Sequence, residues 1–252
     1  MILFTGCNMR TPGREYYPEI YFEGSQLTMA QAIFNDDAGE LKKLLKQETI
    51  NISVPGKEGY TLLLYAIEIS RYKMMELLLE YGADPNVISP TMYVPGAGKQ
   101  SDPSYDIPIH TACYNKYPIK YLKLLVKHGA NVNENRQKSP LFRAINSRDE
   151  GKINFLLKNG ADVNIQAKYG TTSLITAAEL SWFEMVERLL DLGADPFIEV
   201  KGTSLQKAMQ YYIERTEGGS QKGRQRTRQL IRRLEGLGME FDYSKAKFQM
   251  TD

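Results

Sequence analysis

The residues of this 252-residue chain that could ligate a metal or supply a nucleophile are few: Cys7, Cys113, His110 and His128. They lack the paired ligand spacing of a zinc module, and two cysteines make no disulfide framework. A Cys7–Cys113 bridge is not expected. Nothing else in the chain resembles a nucleophile with its base, a carboxylate pair poised for acid–base work or a glycine-rich phosphate loop. Catalysis, a metal and a cofactor are therefore not expected. The remaining chemistry is of two other kinds: a thiol, Cys7, directly after the small residue Gly6, and a run of cations near the C-terminus.

That basic run is local. The whole chain has 32 basic and 30 acidic residues, a balance that supports no global attraction to nucleic acid or membrane. Residues 217–233 hold Lys222, Arg224, Arg226, Arg228, Arg232 and Arg233 against the one acid Glu217, and this stretch, with its Gly-Gly-Ser lead, reads as a basic loop separating the two helices of the last unit. No aromatic residues interleave the arginines to stack bases, so nucleic acid is not the expected partner. A solvated charged face and a patch for an acidic protein surface both remain readings of it. No apolar run approaches the roughly 20 residues that span a bilayer.

The elements that must position any of these residues come from a repeat. One line recurs four times, "LLLEYGADPNV", "LLVKHGANVNE", "FLLKNGADVNI" and "RLLDLGADPFI", each a leucine-faced helix stopped by Gly82, Gly129, Gly160 or Gly193. Glycine after such a run predicts a left-handed helix cap. Upstream, "YTLLLYA", "DIPIHTA", "KSPLFRA" and "GTTSLITA" each lead into a short helix and end on an alanine, Ala66, Ala112, Ala144 or Ala177. From alanine to glycine is 16, 17, 16 and 16 residues, room for two short antiparallel helices and a tight loop. Alanine suits a place where helices approach closely. Pro108 and Pro140 suit a first helical turn, where a missing N–H costs nothing.

"IPIHTA", "SPLFRA" and "TSLITA" resemble the Thr-Pro-Leu-His-x-Ala line of ankyrin repeats, and "GADVN" resembles the other half of that signature. The resemblance, with weaker flanking units, covers about residues 25–242. It implies an all-α ankyrin-repeat solenoid of about six helix-turn-helix repeats, near 25–58, 59–105, 106–137, 138–169, 170–200 and 201–242. The loops between repeats would be β-fingers, and the end repeats atypical caps with polar outer faces. Residues 1–24 then form a signal remnant and polar tether, and 243–252 a C-terminal tail. His110 takes the motif's structural histidine, and Cys113 a small packed position. The glycine that ankyrin repeats carry between their two helices is missing, with Ser70, Lys116, Arg148 and Ser181 near its place, so variable loop geometry is expected there.

A solenoid of this kind does its work where it departs from its own period. Alanine-to-alanine steps from Ala32 are 34, 46, 32 and 33 residues, so "ISPTMYVPGAGKQSDPSYDIP" holds about a dozen extra residues in one finger. Its Met92, Tyr93, Val94 and Tyr105 fit a partner-binding surface, the alternative being that they fold back on the repeat. Positions two after each alanine, Glu68, Tyr114, Asn146 and Glu179, are expected on the concave face. Lys138 and Lys168 on the fingers, with Arg224 and Arg226, would steer the encounter.

"LFTGC" resembles a bacterial lipobox with Cys7 as the lipidated residue. Only six residues precede it, without a basic segment, so the sequence reads as truncated or as begun at an internal methionine. Asn8 resembles the sorting residue of outer-membrane lipoproteins. The expectation is a periplasmic, outer-membrane lipoprotein in full-length form, and a cytoplasmic protein if translation starts at Met1. Membrane contact would come only through the lipid. The combination resembles ankyrin-repeat lipoproteins that act as immunity proteins to type VI secretion effectors of the phospholipase or lipase class. The implied partner is such a toxin, bound by a monomer in a 1:1 complex. A cytoplasmic scaffold, a host-targeting effector and an envelope chaperone are the other readings.

Overall fold

A computed structural model describes residues 16–47, 51–91, 104–135, 138–166, 171–200, 202–215 and 220–250. Met92, Tyr93, Val94, Lys168 and Cys7 lie outside them.

Among the described residues six helix pairs follow one another: α2 (Gly24–Phe34) with α3 (Ala38–Leu45), α4 (Leu62–Glu68) with α5 (Tyr72–Glu80), α6 (Pro108–Ala112) with α7 (Ile119–Lys127), α8 (Pro140–Asn146) with α9 (Glu150–Lys158), α10 (Ser173–Glu179) with α11 (Phe183–Asp191), and α12 (Leu205–Arg215) with α13 (Gln221–Gly236). A one-turn helix, α1 (Pro18–Tyr21), precedes them. Two antiparallel ribbons form finger bases, β1 (Ser89–Thr91) with β2 (Ser104–Asp106) and β3 (Glu199–Val200) with β4 (Thr203–Ser204).

The chain forms two compact units. Residues up to Ala112, with Lys120–Ala130, make the first; Cys113–Ile119 with Asn131 onward make the second. In the first, α2 packs on α3 and α4, α4 on α5 and α6, and α3 on α5. In the second, α8 packs on α9 and α10, and α10 on α11 and α12. The cores are what the repeat lines supply: Leu62 to Ile67, Met75 and Leu78 in one, Leu141, Ala144, Ile153, Leu156, Ile175, Ala177, Val186 and Leu189 in the other.

First helices start on hydroxyl caps. Thr61, Ser139 and Thr172, each five residues before its alanine, accept from the N–H of Leu64, Phe142 and Ile175 at 3.1, 3.1 and 3.2 Å. This satisfies a donor that the helix leaves open. Second helices end on the expected glycines. At Gly160, φ is 85°, and the N–H groups of Ala161 and Gly160 reach back to Leu156 and Leu157 carbonyls at 3.0 and 3.2 Å. A side chain there would be strained, which is why glycine recurs.

The expectation of variable loops between paired helices is corrected at three connections and met at one. Ser70, Arg148 and Ser181 take the left-handed conformation themselves, with φ of 61°, 53° and 53°. The following N–H of Arg71, Asp149 and Trp182 then bonds the carbonyl of Ala66, Ala144 and Ala177 at 2.8–3.1 Å. The geometry is kept without glycine, at the steric cost of a β-carbon in that region. The α6–α7 connection, one residue longer, is the departure: Lys116 is not left-handed, and the Tyr117 N–H bonds Tyr114 instead at 3.1 Å.

Both ends are tighter than the sequence suggests. Residues 16–24, expected in the tether, are packed: Tyr21 and Phe22 are buried, with the Tyr21 ring 4.3 Å from Tyr60 and the Phe22 ring 5.3 Å from Tyr65. Gly56 leaves room for this turn, since a β-carbon there would lie 2.5 Å from the Tyr21 carbonyl oxygen. In the expected tail, Phe248 is buried, and the N–H groups of Lys247 and Phe248 both reach the Ile213 carbonyl at 3.0 Å.

Candidate partner-binding surface

The line "GADxN" builds a ladder between repeats. In the second unit Asn133 donates through Nδ2 to the Gly160 carbonyl at 2.9 Å and accepts from the Asp162 N–H at 2.8 Å. Asn164 repeats this one step on, to Gly193 at 3.0 Å and from Asp195 at 2.7 Å. In the first unit, Asn86 donates to Gly129 at 2.9 Å. These asparagines fill the needs of backbone groups around a left-handed cap, and the motif is thus explained by scaffolding. Where the next asparagine would stand is Phe197, 57% exposed.

The irregular α6–α7 connection is held by side chains of the second unit. Lys152, with a fully buried side chain on α9, donates to the Tyr114 carbonyl at 2.7 Å and pairs with Asp149 at 3.3 Å. Asn115 donates to the Ser147 carbonyl at 2.9 Å. Arg143 bonds the Tyr114 hydroxyl and lies 5.1 Å from its ring centroid. Nothing in the sequence marks Lys152 as buried, because its position in the repeat is ordinary for a surface lysine. Beneath this loop Cys113 is fully buried, and loss of hydration pushes its thiol up to about 12, so at neutral pH it is an inert packed group. His110 is likewise buried.

The expected site residues separate on this frame. Tyr105 lies in β2, paired with Pro90 of β1, so the long finger does begin as a two-stranded ribbon. Glu68 is half-buried in the first unit and accepts from the Tyr60 hydroxyl at 2.9 Å. In the second unit Tyr114 and Asn146 are exposed, and Tyr114 is committed to Arg143 and, through its carbonyl, to Lys152. The basic stretch is corrected from loop to helix: all six cations lie on α13, whose N-cap Ser220 accepts from the Gly223 N–H at 3.2 Å. Arg226 pairs with Glu184 of α11 at 2.7 Å and Arg233 with Asp191 at 2.8 Å. These pairs join two surface helices, so Arg226 belongs to the scaffold as well as to the surface. Arg224 lies half-exposed one turn into α13.

Glu179 stands apart. It closes α10 beside a cleft of about 380 Å³ lined by Ala178, Glu179, Ser181, Gly202, Thr203, Lys207, Ala208, Tyr211 and Tyr212. Partial burial raises its carboxyl above the ordinary carboxylate value, and the charge of Lys138 opposes this. Lys138 itself is exposed, its ammonium 4.6 Å from the Phe142 ring centroid. Lys207 is engaged by Glu199 at 2.8 Å and by the Gly202 carbonyl at 2.9 Å. Tyr211 is 61% exposed. No group of three or more metal-ligating side chains occurs among the described residues, and no helix is long and apolar enough to cross a membrane.

Known proteins share this pattern. A family model for ankyrin repeats in three copies matches residues 92–167, and a single-repeat model matches residues 58–87. An ankyrin repeat protein of Acanthamoeba polyphaga mimivirus is 27% identical over 167 residues, which is 65% of this chain and 20% of that one. This chain thus spans about a fifth of that relative. Among solved structures, the ankyrin repeat domain of Bcl-3, described as a member of the IkappaB family, has a TM-score of 0.60 at 21% identity, covering 81% of this chain and 85% of that one. The ankyrin repeat protein EF0377 has the same TM-score at 22% identity, covering 81% and 96%. Residues 58–87 and 92–167 thus carry ankyrin-repeat sequence, and over four-fifths of its length the chain has the ankyrin-repeat solenoid fold.

Proposed function

We propose that this chain is a protein-binding module whose partner is contacted by the long finger and by the last repeats. Ankyrin repeats are protein-interaction modules in general. The observation that carries the reading here is the contrast between spent and unspent groups: the asparagine ladder is satisfied internally, while Glu179 and Tyr211 are left to solvent beside a cleft. A stable complex needs roughly 800 Å² per partner, so the cleft is one part of the surface used.

The finer form of the proposal is an immunity protein that binds and neutralises a type VI secretion phospholipase or lipase toxin in the periplasm, held there by a lipid on Cys7. It rests on the Leu-Phe-Thr-Gly-Cys run and on the resemblance of such a lipoprotein to known immunity partners. In the gene product that carries a complete signal, Cys7→Ser abolishes palmitate labelling and releases the protein from membranes. Labelling that survives the substitution overturns Cys7 as the lipidated residue, and a parent protein that takes up no label overturns the lipoprotein reading and leaves a cytoplasmic scaffold.

The module reading is tested with the partner itself. A 1:1 complex by light scattering is expected, and Tyr93→Ala with Tyr105→Ala weakens it at least about tenfold, some 1.4 kcal/mol, without changing the melting temperature. Unchanged affinity removes the finger from the binding surface.

A further inference from the structure

The cleft beside α10 has one carboxylate that no side chain among the described residues pairs with directly. Lys207 is neutralised where it stands, by Glu199 and by the Gly202 carbonyl. The Tyr212 ring packs edge-on to Phe183 at 4.6 Å and lies 5.7 Å from the buried Phe248 ring. Among the described residues Glu179 accepts no hydrogen bond and makes no ion pair, and Lys138, which acts on it through charge, lies outside ion-pair distance. The same lining includes Tyr211, exposed, with the Arg215 guanidinium already 5.0 Å from its ring centroid. That contact shows the ring in use as a seat for a guanidinium. A carboxylate and an aromatic face, in a concave site open to solvent, complement a cation carried on an apolar stem.

We propose that this cleft receives an arginine side chain of the protein partner, with the Glu179 carboxylate taking the guanidinium fork and the Tyr211 ring covering its plane. The inference rests on the protein-binding reading and names the chemistry of one contact within it. Arginine fits better than lysine because its charge is planar, weakly hydrated and able to meet a carboxylate through two N–H groups at once. Burial has already imposed part of the desolvation cost on Glu179, so a paired cation recovers more there than at a fully hydrated carboxylate.

The cleft is tested without the partner. Nα-acetyl-L-arginine N-methylamide, and its uncharged citrulline counterpart of the same shape, are titrated into the full chain while the Glu179 carboxyl and the Tyr211 ring are followed by NMR. Saturable shifts at both groups are expected with the arginine compound. With citrulline, or in Glu179→Gln, binding weakens at least tenfold; in Tyr211→Ala it weakens severalfold while the Glu179 shift persists. Equal response to citrulline, an unaffected Glu179→Gln, or shifts confined to other carboxylates overturns the assignment. A chain that binds its protein partner yet ignores the arginine compound refutes the cleft and leaves the module reading standing; failure of the partner complex refutes the latter.

Discussion

Residues 131–198 and residues 199–248 belong to one compact unit but treat their polar groups differently. In the former, each asparagine facing the next repeat is spent on it, Asn133 on Gly160 and Asp162, Asn164 on Gly193 and Asp195. At Phe197 the series stops, and beyond it the last hairpin leaves Tyr211 exposed beside a cleft that Glu179 also lines. The asparagines hold neighbouring repeats of this unit together, whereas Glu179 makes no hydrogen bond or ion pair among the described residues. The difference teaches where to look for function: in an unspent group beside repeats that satisfy their own.

The comparison is broken most severely at Lys152. Lys152→Ala removes a buried stem and the bond that fixes the Tyr114 carbonyl, and a loss of about 2–4 kcal/mol is expected in chemical denaturation. Asn133→Ala removes two bonds between repeats and is expected to cost about 1–3 kcal/mol. A silent Asn133→Ala would place the scaffold elsewhere. Glu179→Gln has the smallest effect and the opposite sign. Burial raises the folded-state pKa of Glu179 above its ordinary 4.5, so the folded chain holds that proton more tightly than the unfolded one. Stability is then lost as pH rises from the unfolded value through the raised one, and the cost is complete above both. Removing the charge therefore gives a slight rise in melting temperature at about pH 7 and none at about pH 3, where Glu179 is neutral in both states.

Much of the fold is legible in sequence because the repeat reports short-range needs. Thr61, Ser139 and Thr172 announce helix starts, and Gly160 and its equivalents announce stops, because each satisfies a backbone requirement only a few residues away. Ser70, Arg148 and Ser181 mislead, since a left-handed backbone there is imposed by packing around the alanine and no residue type advertises it. Tyr21, Phe22 and Phe248 look like tether and tail because their partners, Tyr60, Tyr65 and Ile213, are tens of residues away in sequence. The arginine stretch reads as loop because its glycines and charges obscure the buried line Thr227, Leu230, Ile231 and Leu234. Of the site, Glu179 is reachable by counting from Ala177. Tyr211 is not, because its exposure depends on how α12 packs on α10.

The central claim, that periodic polar residues scaffold while Glu179 is reserved for a partner, meets its most direct test in denaturant unfolding at about pH 7 of Asn133→Ala beside Glu179→Gln. The account predicts a lowered midpoint for Asn133→Ala and an equal or slightly raised midpoint for Glu179→Gln, with unchanged slope in both. A loss in Glu179→Gln as large as that in Asn133→Ala would make Glu179 one more structural group and contradict the account.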